Sequence, residues 1–483
     1  MAERKRIYLC LAHMSEEGLE QKYIKEAFDT NWVVPLGPNV NAFEQELERF
    51  VCSQNVKMKE CDNVKVPSGK RVVALSSGTA AVHLGLLNCG VKPGDEVIVQ
   101  SFTFCASTHP VTYLGATPVL VDSEPDTWNI DPELLEEAIK DRIAKTGKKP
   151  AAIVPVALYG MPYKADRIME IANRYGIPVV EDAAEGFGSR YKGQVLGTFG
   201  KYGVLSFNGN KMITTSGGGA LITANDDEWR EIMMYATQYR ESYPYYQHEK
   251  IGYNYRMSNI CAGIGRGQMT VVNDHLAHHK HVQKMYEELL ADVPGVHVHS
   301  QPRGKLGTGP SVKSQSDVNI WASPEKGTDV PVYDSNYWLC AITIDENVKV
   351  KGQEDAYKTI VTGAVGGAAG VIHAAESAHT DCEPNANVEA MRVALDKAQI
   401  EARPVWKPMH KQPVYCRTSE KGIVNSEKLP SGAECLTYDT SVAYVNGVSE
   451  GIFKIGMCLP AGPYVTDDDV RYIVETIKEN IIG

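Results

Sequence analysis

Residues 71–90 read RVVALSSGTAAVHLGLLNCG, and they are the first unit of the pattern that decides the fold. A short β-branched run, RVVAL, is followed by a longer helix-like run, TAAVHLGLLNCG. The alternation continues to about residue 225, and its further strand-like runs are EVIVQS, TPVLVD, AAIVPVAL, IPVVED, YGVLSF and GALIT. The alternation of strands and helices at this spacing predicts βαβ units and a largely parallel sheet.

The sequence beyond this alternating part has a different pattern and composition. Residues 270–293 carry apolar side chains mostly on one helical face, which predicts one long helix. Residues 301–335 are rich in Gly, Ser, Pro and Lys, and they predict a long loop. We place a domain boundary near 275, which gives a large N-terminal domain, 1–275, and a small C-terminal domain, 276–483.

The overall composition excludes several classes of function. The net charge of −11 argues against a nucleic-acid or anionic-membrane surface. No stretch approaches ~18 consecutive apolar residues, so no membrane-spanning helix is predicted. The first residues lack the cleavage site of a signal peptide. The 11 cysteines form no CxxC pairs, which favours reduced thiols and a cytoplasmic location.

Polar residues follow several of the predicted strands, where ligands of parallel α/β sheets bind. Ser77, Gly78 and Thr79 come after RVVAL and lead into a helix, so their hydroxyls and N–H groups suit a phosphate. A plain serine cap explains the same residues. Asp182 ends IPVVED, and Lys211 follows it by 29 residues, after GVLSF. Glu185 follows Asp182 by three residues, but no further carboxylate or histidine follows closely enough to complete a metal set, so no metal site is predicted.

A phosphate cradle, a carboxylate and a lysine, in this order, match the needs of pyridoxal 5′-phosphate (PLP). The aldehyde of PLP requires an amine that forms an imine with it. The pyridine nitrogen requires a carboxylate that keeps it protonated, and the phosphate requires donors at a helix start. The joint order of the three features is much more specific than any one of them.

The chain resembles the DegT-like nucleotide-sugar aminotransferases over roughly 25–300 and 390–483. The segments that carry the resemblance are SSGTAA, SFTFCAS, EDAAEGFGS, SFNGNK with TTSGGG, GYNYRMSNI, ARPVWKPMHKQPVY and CLPAGP. The resemblance implies a fold-type I PLP-dependent transferase, with a three-layer α/β/α large domain, a mostly parallel sheet and a smaller C-terminal α+β domain. The chain is longer than is usual for the family at 301–335 and 348–390. These departures leave the outer structure of the small domain open, but they do not affect the expected chemistry.

The resemblance also implies roles around the cofactor ring. Lys211 is expected to form the imine with PLP and to move protons, and Asp182 is expected to face the pyridine nitrogen. Glu185 is expected near the ring hydroxyl, where a solvated helix acid is the alternative. Phe104 is expected to stack on the ring, with a plain core position as the alternative.

The remaining expected roles concern the phosphate and the substrate. Gly78, Thr79 and Ser206 are expected to hold the phosphate. Asn254 is expected to reach that phosphate from the neighbouring subunit, so the resemblance implies a homodimer with shared active sites. His410, in KPMH, is expected on the substrate side.

The resemblance implies an enzyme that moves the amino group of L-glutamate to a nucleotide-linked keto sugar for polysaccharide or glycan biosynthesis. The run FNGNKMITTSGGG is most similar to members that aminate C4 of UDP-linked 4-keto-6-deoxy-N-acetylhexosamines, of the bacillosamine type. The alternatives are a dTDP- or GDP-keto sugar aminated at C3 or C4, and a non-catalytic PLP-binding regulator.

Simpler or different roles stay open for other polar residues. His275 and His279 have the spacing of a metal-binding pair, but we favour a partly solvated helix face. Three arginines could bind a substrate anion or form structural ion pairs, and these are Arg240, Arg256 and Arg266.

Overall fold

The computed structural model describes residues 5–52, 70–303, 331–357, 382–416 and 425–482. The predicted insertions at 301–335 and 348–390 lie largely outside these ranges. The helices are α1 (Leu19–Asp29), α2 (Pro38–Cys52), α3 (Gly78–Asn88), α4 (His109–Tyr113), α5 (Pro132–Thr146), α6 (Ala165–Tyr175), α7 (Asp226–Ala236), α8 (Asn259–Met269), α9 (Val272–Leu290), α10 (Ala386–Lys397), α11 (Pro413–Cys416), α12 (Val448–Ile455) and α13 (Asp467–Asn480). The strands are β1 (Arg71–Leu75), β2 (Glu96–Gln100), β3 (Thr117–Val121), β4 (Ala152–Val154), β5 (Val180–Asp182), β6 (Arg190–Tyr191), β7 (Gln194–Val195), β8 (Tyr202–Ser206), β9 (Gly219–Thr223), β10 (Val296–Val298), β11 (Tyr333–Asp334), β12 (Cys340–Ile344), β13 (Lys349–Val350), β14 (Arg403–Pro404), β15 (Asn425–Lys428), β16 (Glu434–Thr437), β17 (Val442–Val445), β18 (Gly456–Leu459) and β19 (Ile481–Ile482).

The large sheet consists of two strand ladders joined side by side. One ladder has the order β15-β16-β17-β3-β2-β4, and the other has the order β1-β9-β8-β5. Two parallel bridges, Ile153 to Val179 and Val156 to Asp182, join β4 to β5. The strands from β17 through β3, β2, β4 and β5 to β8 are parallel, whereas β9 is antiparallel to both β8 and β1. The predicted, mostly parallel sheet is confirmed.

Helices cover both faces of this sheet, because successive residues of a strand point to opposite faces. In β2, Ile98 belongs to a core that contains residues of α2, α5 and α6. Its neighbours Val97 and Val99 belong to a second core, which contains residues of α3 and α7. Burial of each such side chain stabilises the fold by roughly 1.5–3 kcal/mol. The three-layer α/β/α arrangement follows from these two cores.

The helix boundaries follow local signals in the sequence. The Ser77 hydroxyl caps α3 by accepting a hydrogen bond from the N–H of Ala80 at 3.0 Å. Asp131 caps α5, as the Asp131-Pro132 pair predicts, and accepts from the N–H of Glu133 at 2.9 Å. Gly176 ends α6 in the left-handed conformation, with a φ of 61°. These caps fix where each helix starts or stops relative to the strand beside it.

A smaller sheet, β10-β12-β18-β14, is antiparallel and packs with α9, α10 and α13 around a third core. The long helix predicted over 270–293 is confirmed as α9. The hairpin β15–β16 and strand β17, from 425–445, do not join this small sheet but extend the large sheet at β3. The domain boundary near 275 stays a prediction, and part of the chain beyond it returns to the large sheet.

In the part of the chain that the structure describes, no helix combines the length and apolar character that crossing a bilayer requires. The described cysteines are free thiols. The cytoplasmic location remains a prediction.

Candidate active site

The carboxyl ends of β1, β5 and β8 meet at one edge of the large sheet. Asp182 is the last residue of β5 and Ser206 is the last residue of β8, and these strands are parallel neighbours. Leu75, at the end of β1, and Ser206 both pair with Gly219 of β9. The polar residues that follow these strands are therefore close together, as the sequence predicts.

Lys211 lies in the turn between β8 and β9. Its side chain is only 13% exposed, and its Nζ lies 3.3 Å from Oε1 of Glu185. The ring of Trp338 covers the same amine, with 3.9 Å between Nζ and the ring centroid. Lys211 is therefore not a solvated turn lysine, because its amine is held between a carboxylate and an indole.

Asp182 is buried, with 5% of its surface exposed. The Ser107 hydroxyl donates to Oδ2 at 2.6 Å, and the N–H of Ala184 donates to Oδ1 at 3.1 Å. Burial raises the pKa of the Asp182 carboxyl, while these two hydrogen bonds and the charge of Lys211 act to lower it. The two donors fix the direction of a carboxyl group that has little contact with water.

Glu185 lies beside Lys211 and is also 5% exposed, so the solvated alternative for it is wrong. The N–H of Tyr159 donates to its Oε2 at 2.8 Å. Burial raises the pKa of the Glu185 carboxyl, and the charge of Lys211 and the Tyr159 hydrogen bond act in the opposite direction. Glu185 therefore places a buried carboxyl group next to the Lys211 amine, and the charge of that amine also acts on the buried carboxyl group of Asp182.

Gly78 and Thr79 begin α3, and Ser206 lies against them. A Cβ added at Gly78 would lie 3.0 Å from the Cβ of Ser206, so this glycine leaves room that any other residue would fill. The first N–H groups of a helix have no acceptor in a preceding turn. Those of Gly78 and Thr79, together with the Ser206 hydroxyl, form a set of donors that favours an anion.

Phe104 is not a core residue, because 52% of its surface is exposed. Its ring centroid lies 5.7 Å from that of Trp406. The N–H of Trp406 donates to the hydroxyl of Tyr159 at 2.7 Å, and Tyr159 in turn contacts Glu185 through its own N–H. Contacts through Trp406 and Tyr159 therefore connect the exposed ring of Phe104 with the buried carboxylate of Glu185.

Asn254 is exposed in the loop that precedes α8. The neighbouring Tyr255 carbonyl accepts a hydrogen bond from the N–H of Ser76 at 2.8 Å, which ties this loop to the end of β1. The role of Asn254 in a neighbouring subunit stays a prediction.

His410 is completely buried and links two elements. Its Nδ1 lies 2.6 Å from the Ser101 hydroxyl, just after β2, and its Nε2 lies 3.0 Å from Oε1 of Glu450 in α12. Burial acts to raise the pKa of Glu450, but His410 and Lys411 hold it down to about 2. A hydrogen bond between a ring nitrogen of His410 and a substrate would have to replace one of these two bonds, and the substrate role of His410 stays a prediction.

Comparisons with known proteins identify the family of the chain. The DegT/DnrJ/EryC1/StrS aminotransferase family matches residues 14–316. The chain belongs to this family. EpsN of Bacillus subtilis, described as a pyridoxal phosphate-dependent aminotransferase, is 36% identical over 98% of this chain and 95% of its own. A GDP-perosamine synthase of Escherichia coli O157:H7 is 28% identical over 98% of this chain and 98% of its own.

A solved structure of a DegT/DnrJ/EryC1/StrS aminotransferase from Brucella abortus has the same fold. The two structures superpose with a TM-score of 0.69 at 23% identity, over 96% of this chain and 95% of the other. The fold-type I class is thereby confirmed. As a member of the family, the chain is a nucleotide-sugar aminotransferase that uses PLP.

The sheet edge fits the cofactor of the family. Lys211 would supply an amine for the aldehyde, and Asp182 would supply a buried carboxyl group for the pyridine nitrogen. The space that a Cβ at Gly78 would fill, next to Ser206 and the start of α3, suits the phosphate. These are the residues that would hold PLP.

Three residues that contact the site were missed by the sequence analysis, and these are Ser107, Asn336 and Trp338. Ser107 belongs to the SFTFCAS segment, from which the family resemblance implies a role for Phe104 alone. Trp338 belongs to YWLCAITID, which predicts a strand, and the strand β12 begins only at Cys340. A polar and aromatic run, SNYW, directly before a buried strand was the available signal.

The contacts of the three arginines favour structural roles over binding of a substrate anion. Nη1 of Arg256 lies 2.5 Å from Oε1 of Glu44, and this ion pair is buried. Nε of Arg266 lies 3.1 Å from Oε1 of Glu46. The guanidinium of Arg240 lies 5.0 Å from the ring centroid of Tyr246.

The expectation of a partly solvated face is wrong for two histidines of α9. His275 is 5% exposed and His279 is completely buried. The Nδ1 of His275 lies 3.2 Å from the Met212 carbonyl, and that of His279 lies 3.0 Å from the Tyr337 carbonyl. Because a carbonyl only accepts, both nitrogens carry the proton. Among the described residues, no group of three or more potential ligands comes together around a metal position.

Proposed function

We propose that the chain transfers the amino group of L-glutamate to C4 of a UDP-linked 4-keto-6-deoxy-N-acetylhexosamine. The observation that supports it best is the burial of the Lys211 amine beside Glu185, at the edge of the sheet that also carries Asp182. Bound there, PLP supplies an aldehyde that takes up the amino group and a ring that delocalises an electron pair.

The protein residues have separate tasks in this proposal. Lys211 holds and moves the proton of the substrate carbon, since its amine is the base nearest to the cofactor position. Glu185, whose Oε1 lies 3.3 Å from Nζ, balances the positive charge when Lys211 gains a proton. Asp182, oriented by Ser107 and Ala184, keeps a proton on the ring nitrogen. The burial of all three groups excludes water that would compete for these protons.

The most specific part of the proposal is which nucleotide the substrate carries and which sugar carbon receives the amino group. The run FNGNKMITTSGGG supports UDP and C4 by its likeness to the bacillosamine-type members. The relative that makes GDP-perosamine matches nearly the whole chain and supports a GDP-linked sugar as the second candidate.

A panel of nucleotide-linked keto sugars separates the candidates. The purified protein, saturated with PLP, receives L-glutamate and one UDP-, GDP- or dTDP-linked keto sugar at a time. We expect the highest kcat/KM with the UDP-linked 4-keto-6-deoxy-N-acetylhexosamine. A preference for a GDP-linked sugar supports the second candidate. A visible absorption band that no amino donor bleaches contradicts both and favours a regulator.

We also propose that two copies of the chain share their active sites. Asn254 is exposed, and a nearby exposed apolar stretch, 28–36, lies against the start of α8, where the N–H of Asn259 donates to the Val34 carbonyl at 2.9 Å. The exposed apolar side chains of this stretch are Phe28 (59%), Trp32 (40%), Val33 (49%), Val34 (39%) and Leu36 (54%). A group of exposed apolar side chains close together on the surface is typical of an interface between subunits.

Subunit mixing tests the shared site. Lys211→Ala and Asn254→Ala chains are each expected to be impaired, and refolding them together creates mixed dimers. If Asn254 acts across the interface, one site of each mixed dimer is intact, so roughly a quarter of the wild-type activity returns. No recovery above the sum of the two separate variants contradicts the shared site.

A further inference from the structure

Trp338 contacts the lysine turn in two ways. It is 1% exposed, and its Nε1–H donates to the Asn210 carbonyl at 2.6 Å. Asn210 directly precedes Lys211, whose Nζ lies 3.9 Å from the centroid of the Trp338 ring. One side chain therefore both holds the backbone of the lysine turn and covers the amine.

The segment that carries Trp338 is itself fixed to the carboxylate side of the pocket. The Nδ2 group of Asn336 donates to the carbonyls of Glu185 and Phe187, each at 2.9 Å. Its Oδ1 accepts from the N–H of Trp338 at 2.8 Å. Asn336 is completely buried. The position of the indole is thus set by the backbone of the residue whose side chain pairs with Lys211.

We infer that Trp338 is a positioning residue for Lys211 in the proposed aminotransfer, on which this inference rests. A lysine has four rotatable side-chain bonds, and each freely rotating bond lowers the fraction of time in which the amine faces the cofactor. The indole face and the Glu185 carboxylate restrict Nζ to one narrow space. The hydrogen bond to Asn210 keeps the lysine turn at a constant distance from that face.

Trp229 offers a matched control elsewhere in the chain. Its Nε1–H also donates to a backbone carbonyl, that of Val72, at 3.2 Å. A cation also lies over its ring, since the Arg71 guanidinium is 4.6 Å from the centroid. Trp229 belongs to α7 and contacts the first residues of β1, at the end of that strand away from Ser77 and Gly78. A change at Trp229 removes the same kinds of contact without touching the lysine turn.

The test measures how fast PLP attaches covalently to Lys211. Attachment joins the lysine nitrogen to the aldehyde carbon and releases one water. Full-length wild-type protein and the variants Trp338→Leu, Trp338→Phe and Trp229→Leu are freed of cofactor, then mixed with PLP, and the visible absorption band is followed. Binding of pyridoxamine 5′-phosphate, which has no aldehyde, reports the phosphate and ring contacts separately.

We expect attachment about tenfold slower in Trp338→Leu and about threefold slower in Trp338→Phe, which keeps an aromatic face. Pyridoxamine 5′-phosphate affinity should stay within about twofold of wild type in both variants, because the phosphate donors are unchanged. Trp229→Leu should attach PLP at the wild-type rate. If Trp338→Leu fails to fold, Trp338→Phe carries the test.

Wild-type attachment rates in the Trp338 variants overturn the inference. It is also overturned if these variants lose pyridoxamine 5′-phosphate affinity in proportion to the rate, because Trp338 then only supports the site as a whole. The inference is overturned as well if PLP attachment slows as much in Trp229→Leu as in the Trp338 variants. Failure of the wild-type protein to attach PLP at Lys211 contradicts the proposed function itself, which distinguishes the two failures.

Discussion

The lysine pocket has two walls that differ in chemistry and in origin. The sheet-edge wall, formed by Asp182, Glu185 and Lys211, carries ionisable groups at the ends of neighbouring strands. The second wall is the segment 335–338, which carries an amide and an indole that bond to backbone carbonyls of the first wall. The proposed function assigns the proton chemistry to the first wall, and we infer that the second wall sets where the amine lies.

The largest effect is expected at Lys211. Lys211→Ala removes both the amine that binds PLP and the base, so turnover should fall by at least about 10⁴-fold. Lys211→Arg keeps a cation beside Glu185 but cannot form the covalent bond, and it should be equally inactive. The measurement is the rate of keto-sugar amination with L-glutamate. Appreciable turnover in either variant contradicts the role of the sheet-edge wall.

Asp182→Asn should lower kcat by about 10²–10³-fold, because the ring nitrogen loses the carboxylate that keeps it protonated. Glu181→Gln is the matched control, since Glu181 is also buried but accepts hydrogen bonds from Tyr163, Gly197 and Gly200 instead. Glu181→Gln should change stability much more than kcat. Equal losses of kcat in the two variants would mean that Asp182 acts only through the fold.

Asn336→Ala tests the connection between the walls. It leaves the carbonyls of Glu185 and Phe187 without their buried donor, and unfolding in urea should show a loss of about 2–5 kcal/mol. Asn336→Asp keeps the acceptor for the Trp338 N–H but places a carboxylate against two carbonyls, so it should be at least as unstable. Unchanged stability in both variants would show that the second wall is held by other contacts.

The smallest effect is expected from the link between His410 and Glu450. The folded-state pKa of Glu450 is about 2, below its ordinary value of 4.5, so its contribution to stability is present above pH 4.5 and is lost as the pH falls toward 2. That contribution is at most about 3 kcal/mol. Glu450→Gln should therefore show a flatter loss of stability in this acidic range than wild type, measured by urea unfolding at several pH values. If stability falls equally steeply with pH in wild type and in Glu450→Gln, the ion pair between His410 and Glu450 is contradicted.

The sheet-edge wall could be predicted from the sequence because its information is local. Strand-like runs, their order and the residues directly after them place Asp182 and Lys211 at one edge, and no long-range contact is needed for that inference. The role of Ser206 was implied by the family resemblance instead. The burial of Glu185 does not follow from the sequence alone, because it depends on which distant residues pack over this side chain.

The second wall could not be predicted in this way. Asn336 reaches the Glu185 carbonyl over a sequence separation of 151 residues, and nothing periodic in the sequence encodes that contact. The same holds for His279, whose Nδ1 lies 3.0 Å from the Tyr337 carbonyl of the second wall. A local run such as SNYW marks these residues as polar and aromatic, but it does not show which distant backbone carbonyls they bond.

The central claim is that the cofactor is bound covalently at Lys211, and chemical trapping tests it most directly. PLP-saturated wild-type protein is reduced with borohydride, digested and mapped by mass spectrometry. We expect a pyridoxyl group on the peptide that contains Lys211, and no modified peptide at that position in Lys211→Ala. A pyridoxyl group on a different lysine, or none on any, would contradict the claim.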